Sequence, residues 1–339
     1  MVMQDAIKAL VDGNGLTPDL ARGAMGEIMT GAATPAQVGA FLASLRVRGE
    51  TPEVIAACAE VMQSYADPVP APDVIDICGT GGDGIDTVNV STAAGIVVAA
   101  AGGRVAKHGN RAMSSRCGSA DVLEALGARL DLDGEQVARA IDACGFAFLF
   151  AQRFHPAMKH VAGARREMGV RTVFNMLGPL TNPAGPRGQL AGVGAKHLAP
   201  LMAQAFALRG MKRAMVVHSA DGLDEISPAG VTYAWLVDDG VVTERELRPA
   251  DFGLPEHPLS SVAGGEPSEN ARALVDVFAG AEGPVTDFVL ANSAAACFVA
   301  GLAPDLRSGT DVARKAIASG RAREVLERYI SVTQELAGE

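Results

Sequence analysis

The sequence predicts an α/β protein in which a small all-helical domain, residues 1–70, precedes a large α/β domain, residues 73–339, built on a mostly parallel central sheet. Three observations predict it. Thr-Pro dipeptides punctuate the first 66 residues, a proline-rich break follows, and from Asp73 onward short β-branched runs alternate with helical stretches. At roughly 150 residues per domain, 339 residues suffice for two domains with real cores.

Thr17-Pro18, Thr34-Pro35 and Thr51-Pro52 each place an N-cap threonine before a proline in the first helical turn, where no backbone N–H is needed. Gln37 adds a capping box to the second start. The region reads as four short amphipathic helices, with Gly13, Gly31 and Gly49 ending three of them. Prolines 68, 70 and 72 cannot continue a helix, so Ala66 to Pro72 reads as a linker. Strands are expected at 73–78, 103–107, 146–150, 189–193 and 213–218, with helices near 91–101, 120–126, 135–143 and 197–209. Residues 231–237 and 241–247, joined by Asp238-Asp239-Gly240, read as an antiparallel hairpin. The stretch 156–183, starting at Pro156, is expected to be helical and, because it interrupts the α/β alternation, to pack with the N-terminal helices.

Apolar residues make up 48% and charged residues 20%, which excludes a disordered chain. Glycine is abundant, 39 residues against 11 Phe, 3 Tyr and 1 Trp, as expected where backbone packs closely on itself or on a ligand. The five cysteines are scattered and form no C-x-x-C pair, so they read as core residues of a reduced compartment. MVMQDAIKAL has neither the basic start nor the apolar run of an export signal, and a cytoplasmic location is expected. The longest apolar stretch stops at Gly102-Gly103-Arg104, well short of the ~20 residues that span a membrane. A net charge of −10 disfavours nucleic acid and anionic membrane as partners.

The chemistry is concentrated in loops that follow strands. Gly79-Thr80-Gly81-Gly82-Asp83-Gly84 matches G-x-G-x-x-G in form, but the helix opens only near Ser91-Thr92 and no ribose-binding acid follows. A Walker loop is excluded because no Lys-Ser/Thr follows Gly84. The remaining reading is a loop whose amides can face an anion, continued by Thr87, Asn89, Ser91 and Thr92, which either bind phosphate or cap the helix. Between Asp86 and Asp121 there is no acid, yet Arg104, Lys107, Arg111 and Arg116 are present, with His108. That local excess of positive charge, centred on residues 107–115, points to a multiply phosphorylated ligand. Ser119 is expected to cap the helix after it, with Asp121 in the first turn.

Such a ligand brings Mg²⁺, which prefers carboxylates and ligand oxygens. The run Asp221 to Ser227 supplies Asp224 and Glu225 after a strand; alone it reads equally as acids at a turn, and beside a phosphate site as metal ligands. A second basic segment, 153–171, places Arg165 on a helical stripe with Met158, Ala162 and Gly169. A cation on a small apolar face suits a planar carboxylate, although a surface arginine lying along its own stem fits the same pattern. The histidines carry no assignment.

DICGTGGDG (76–84), NVST (89–92), KHGNRAMSSRCGSADVLEALG (107–127), RREMGVRTVFNMLGPLTNPA (165–184) and DGLDEIS (221–227) occur in one order over essentially the whole chain. In these motifs the sequence resembles the anthranilate phosphoribosyltransferases of tryptophan biosynthesis. The resemblance implies a homodimer of the nucleoside-phosphorylase-like fold, with 5-phosphoribosyl-1-diphosphate (PRPP) and Mg²⁺ between the two domains and anthranilate as the second substrate. Carried over by motif, the PRPP residues are Gly79, Gly82, Asp83, Thr87, Asn89, Val90, Ser91, Thr92, Lys107, His108, Gly109, Asn110, Arg111, Ala112, Met113, Ser114, Ser115 and Ser119. The metal ligands are Ser91, Asp224 and Glu225. Gly79, Asn110 and Arg165 would hold anthranilate, and Lys107, Asn110 and Arg165 would be catalytic. Two rivals remain at this point: a nucleoside phosphorylase-like enzyme of the same fold, and a non-catalytic relative that binds nucleic acid through its basic loops.

Overall fold

The computed structural model describes residues 2–112 and 115–338. The chain opens with helices α1 (Val2–Val11), α2 (Pro18–Met29), α3 (Pro35–Arg48) and α4 (Pro52–Ser64). Thr17, Thr34 and Thr51 cap the last three as expected, their hydroxyls accepting from the N–H of Leu20, Gln37 and Val54. Each such cap stabilises its helix by about 1 kcal/mol. Gln37 closes the capping box on the Thr34 N–H at 2.9 Å.

Residues 66–74 are irregular but pinned: the Asp67 N–H donates to Phe154 O and the Val69 N–H to Pro183 O, with Val69 and Ala71 buried. Then follow β1 (Ile75–Gly79), α5 (Val90–Ala100), β2 (Val105–Gly109), α6 (Ser119–Ala125), α7 (Gly134–Cys144), β3 (Phe146–Phe150), α8 (Ala151–Phe154), α9 (Lys159–Met168), α10 (Phe174–Leu177), β4 (Gly188–Gly192), α11 (Ala199–Leu208) and β5 (Arg213–Ser219). The chain continues through β6 (Thr232–Asp238), β7 (Val241–Leu247), α12 (Pro267–Phe278), α13 (Pro284–Ala300), α14 (Leu306–Ala318) and α15 (Arg321–Leu336). The sheet order is β3-β2-β1-β4-β5-β6-β7, parallel through β5 and antiparallel for the final hairpin. The expected fold class is therefore the observed one.

Several boundaries move, for local reasons. Asp73 takes a left-handed conformation (φ 58°), so the first strand opens two residues later than expected. The second strand runs 105–109, not 103–107, so His108 and Gly109 join Lys107 in the sheet rather than standing in the loop. The stretch 156–183 is no continuous helix: Gly169 ends α9 in a left-handed turn, and Gly178-Pro179 divides the remainder into short pieces. Asp238 pairs with Val241, which shortens the hairpin turn to Asp239-Gly240.

Two hydrophobic cores flank the sheet. One unites α5, α6, α7 and α12 to α15 against one face, with every residue of α5 buried. An Ala-rich helix that is apolar all round can exist only in such an interior. The other gathers Met25, Phe41, Leu45 and Ile55 of the N-terminal helices with Val161, Phe174 and Leu177, and it is continuous with Ala191, Met202, Phe206 and Val216 on the opposite face.

Candidate active site

A cavity of about 700 Å³ opens at the C-terminal ends of β1 and β2, where open α/β sheets place ligands. Its lining unites the glycine loop, the start of α5, the end of β2 with the loop after it, the turn after α9, and Asp224 with Glu225. Of the residues singled out in the sequence, Gly79, Gly82, Asp83, Thr87, Asn89, Val90, Ser91, Lys107 to Ala112, Ser115, Ser119, Asp224 and Glu225 line it. Thr92 and Arg165 do not. Met113 and Ser114 lie outside the described residues.

The glycine loop is shaped by the acidic loop beneath it. Gly81, Gly82 and Gly84 all have positive φ, and the Gly81 N–H donates to Asp224 Oδ2 at 2.7 Å. A Cβ on Gly79 would lie 2.3 Å from the same oxygen, so only glycine lets β1 pass this close to the carboxylate. One loop amide expected to face an anion is thus already committed to an acid.

Lys107 is buried and donates its Nζ to Ile77 O and, at 3.2 Å, to Ser91 Oγ. Ser91 in turn bonds Glu225. Burial, reinforced by Asp83, pushes the Asp224 carboxyl up, and burial, reinforced by Asp224, does the same to Glu225. Lys107 offsets part of that burial at Glu225, and a bound cation would offset more. Among the described residues no three His, Cys, Asp or Glu side chains converge to enclose a metal by themselves. Two carboxylates and a hydroxyl form an incomplete donor set, which suits Mg²⁺ completed by ligand oxygens.

Around the second loop the electrostatics differ from expectation. Arg104 pairs with Asp142 at 2.8 Å, Arg116 with Asp86 at 3.8 Å, and Arg111 with Asp121 and Glu124, while its guanidinium rests over Phe150. Acids from elsewhere in the chain therefore neutralise most of the apparent local charge. His108 adds none: burial pushes its imidazole down to about 3, with Nδ1 on Gly178 O and its ring 5.0 Å from that of His155.

The loop is closed by Asp121, whose Oδ2 accepts from the N–H groups of Ala112 at 2.9 Å and Gly118 at 2.8 Å. Gly118, not Ser119, is the N-cap of α6, since the helix already begins at Ser119, and position 118 takes glycine because a Cβ there would lie 2.3 Å from Ala112 N. Asn89 heads α5 without capping it. Its side chain donates to Cys117 O and accepts from Asn270, binding this loop to α12. Thr92 is fully buried, its hydroxyl unpartnered and away from the cavity.

Arg165 sits on α9 with its guanidinium 5.4 Å from the Phe174 ring centroid, and burial lowers its pKa. Among the described residues it makes no ion pair. Its stripe is more open than expected, since Ala162 and Gly169 are exposed. Sequence reasoning missed Arg171, which donates to Gly82 O at 2.8 Å and Gly81 O at 3.0 Å and so fastens the turn after α9 to the glycine loop. The signal was its place at the end of the basic run 153–171. Asn175, also in the lining, had no signal in its residue type or spacing.

The helical bundle and the sheet match two parts of one enzyme class: the profile "Glycosyl transferase family, helical bundle domain" covers residues 4–66 and "Glycosyl transferase family, a/b domain" residues 71–323. The anthranilate phosphoribosyltransferase of Anaeromyxobacter dehalogenans (strain 2CP-C) is 51% identical over 334 residues, covering 98% of this chain and 99% of the relative. The crystal structure of the Thermus thermophilus enzyme superimposes with a TM-score of 0.91 at 44% identity, over 97% and 99% of the two chains. The Saccharomyces cerevisiae enzyme in complex with PRPP and Mg gives 0.90 at 34% identity, over 98% of each. Within the glycosyl transferase class, the chain belongs to the anthranilate phosphoribosyltransferase family.

Proposed function

We propose that the chain transfers the 5-phosphoribosyl group of PRPP to the amine of anthranilate, giving N-(5-phosphoribosyl)anthranilate and diphosphate in tryptophan synthesis. The observation that carries this reading is one cavity, in a chain of this family, joining Lys107 and Ser91 to Asp224 and Glu225. The amine nitrogen bonds to the anomeric carbon as the bond to diphosphate breaks. Positive charge therefore develops on the ribose and negative charge on the leaving group.

Lys107 places a buried ammonium on the cavity wall, where it attracts the departing diphosphate. The glycine loop and the N-terminus of α5 offer amides to the phosphates. Asp224, Glu225 and Ser91 would hold Mg²⁺, which when bound supplies charge neutralisation to the diphosphate. Asn110 already accepts on Oδ1 from the Arg111 N–H and from Gln152, which leaves its amide nitrogen to donate to a substrate. Arg165, on α9 outside that cavity's lining and lacking a carboxylate partner of its own, is the cation assigned by motif to grip the carboxylate of anthranilate and orient its amine. An aromatic amine is neutral at pH 7 and keeps its lone pair, so no strong general base is demanded.

The pairing of Arg104, Arg111 and Arg116 with acids removes the basic surface that a nucleic-acid partner would require. A homodimer is expected from the family resemblance. A cytoplasmic setting is supported by five free thiols, four of them buried. No helix among the described residues is long and apolar enough to cross a membrane. Loss of anthranilate fluorescence on adding PRPP and Mg²⁺ tests the reaction; unchanged fluorescence with purified, folded protein would refute it.

A further inference from the structure

A second cavity, of about 350 Å³, lies where β4 and β5 begin, at the end of the sheet opposite the first. A five-residue strand spans about 16 Å, so the two cavities are well separated. Three cations from three segments border it: Arg187 just before β4, Arg209 just after α11, and Lys212 just before β5. Among the described residues no Asp or Glu lines it, and none of the three cations forms an ion pair. In a chain of net charge −10, such a group lacks the neutralisation seen at Arg104, Arg111 and Arg116.

Arg209 carries the argument furthest. Burial lowers its pKa, yet its bonds go to neutral acceptors, Ala56 O and Gln63 Oε1. Glu60 acts on it from a distance but is itself held by Arg22 at 2.9 Å. A partly desolvated guanidinium without a bonded counter-charge is costly unless a ligand supplies one. Arg187 spends one nitrogen on Ala300 O and keeps the rest of its fork, while Leu180 and Phe206 give the cavity an apolar wall.

We propose that this cavity binds a small organic dianion, either a dicarboxylate or a phosphate monoester, with Arg187, Arg209 and Lys212 as its counter-charges. The volume suits a metabolite-sized ligand, and two guanidinium forks suit the planar oxygens of either head group. The seat joins the two parts of the molecule. Gln63 of α4 donates to Asn182 O at 3.0 Å, and the segment leading to Asn182 supplies Gly178 O to His108 beside the reaction cavity.

Calorimetry on the full chain without PRPP tests this with succinate and glycerol 3-phosphate as separate probes, and the double variant below assigns the binding to this cavity rather than to the reaction cavity. At least one is expected to bind one per chain, and the probe that binds identifies the head group. Replacing two exposed cations together, Arg187→Gln with Lys212→Gln, is expected to weaken that binding by about tenfold or more while leaving turnover at saturating substrates unchanged. No binding of either probe up to about 10 mM, or equal binding by the double variant, would overturn the proposal.

Discussion

The loops that follow β1 and β2 are neighbours on one sheet edge, and they handle charge in opposite ways. The glycine loop after β1 carries a single acid in its own sequence, yet in the fold it rests on Asp224 and Glu225, whose carboxyls burial pushes up. The loop after β2 carries Arg111 and Arg116, yet Asp86, Asp121 and Glu124 neutralise them. One loop holds acids that await a cation, and the other holds cations already satisfied. Formal charge along the chain is thus a poor guide to where a ligand finds unmet charge, and only Lys107, buried between the two loops, serves both sides.

The largest effect is expected where that need is greatest. Asp224→Ala combined with Glu225→Ala should lower Mg²⁺-dependent kcat by about 10³-fold, the scale of losing a group that stabilises transition-state charge. The same variant should remain folded by far-UV circular dichroism, although the Gly81 N–H loses its Asp224 acceptor. Retained Mg²⁺-dependent turnover would show that the metal is held elsewhere.

The two loops also differ in how legible they were. The strand-loop-helix order and the Thr-Pro caps at residues 17, 34 and 51 follow from local pattern, because caps and strand ends act over a few residues, whereas Asp224 comes to the glycine loop from 143 positions away. The pairing of Arg104 with Asp142, 38 positions away, depends on how β2 and α7 come together, which no local pattern encodes. Arg171 reaching back 90 residues to Gly81 is of the same kind. That residue 118, the cap, must be glycine is a steric matter, decided by the closeness of Ala112.

A direct contrast between the loops comes from removing one cation from each. Lys107→Met should lower kcat by about 10²-fold or more, since its ammonium faces the departing charge. Arg111→Met should cost less than about tenfold, because Glu124 and Asp121 already hold its guanidinium. Equal losses in steady-state kinetics would mean that substrate displaces those acids and that the second loop is a charge donor after all. On the anthranilate side, Arg165→Ala is expected to raise the KM for anthranilate about tenfold or more and that for PRPP far less. An unchanged anthranilate KM would remove that role from Arg165 and turn attention to Arg171.

The smallest effect concerns stability, and it separates charge that matters for ligands from charge the fold excludes. Behind the second loop, burial pushes His108 down to about 3 and His155 down to about 4, and each leaves Nε2 unpartnered. An imidazole ordinarily titrates near 6.5, so below that pH the unfolded chain takes up protons that the folded chain refuses. Folding stability should therefore fall as pH drops from about 6.5 toward 4, by up to about 1.4 kcal/mol per pH unit for each histidine. Denaturant melts at pH 7, 6 and 5 check the slope, and His155→Gln should flatten it. A slope unchanged by that substitution would show that the pair does not titrate as two buried neutral rings, and that the wall behind Lys107 admits a proton the apolar packing is otherwise expected to exclude.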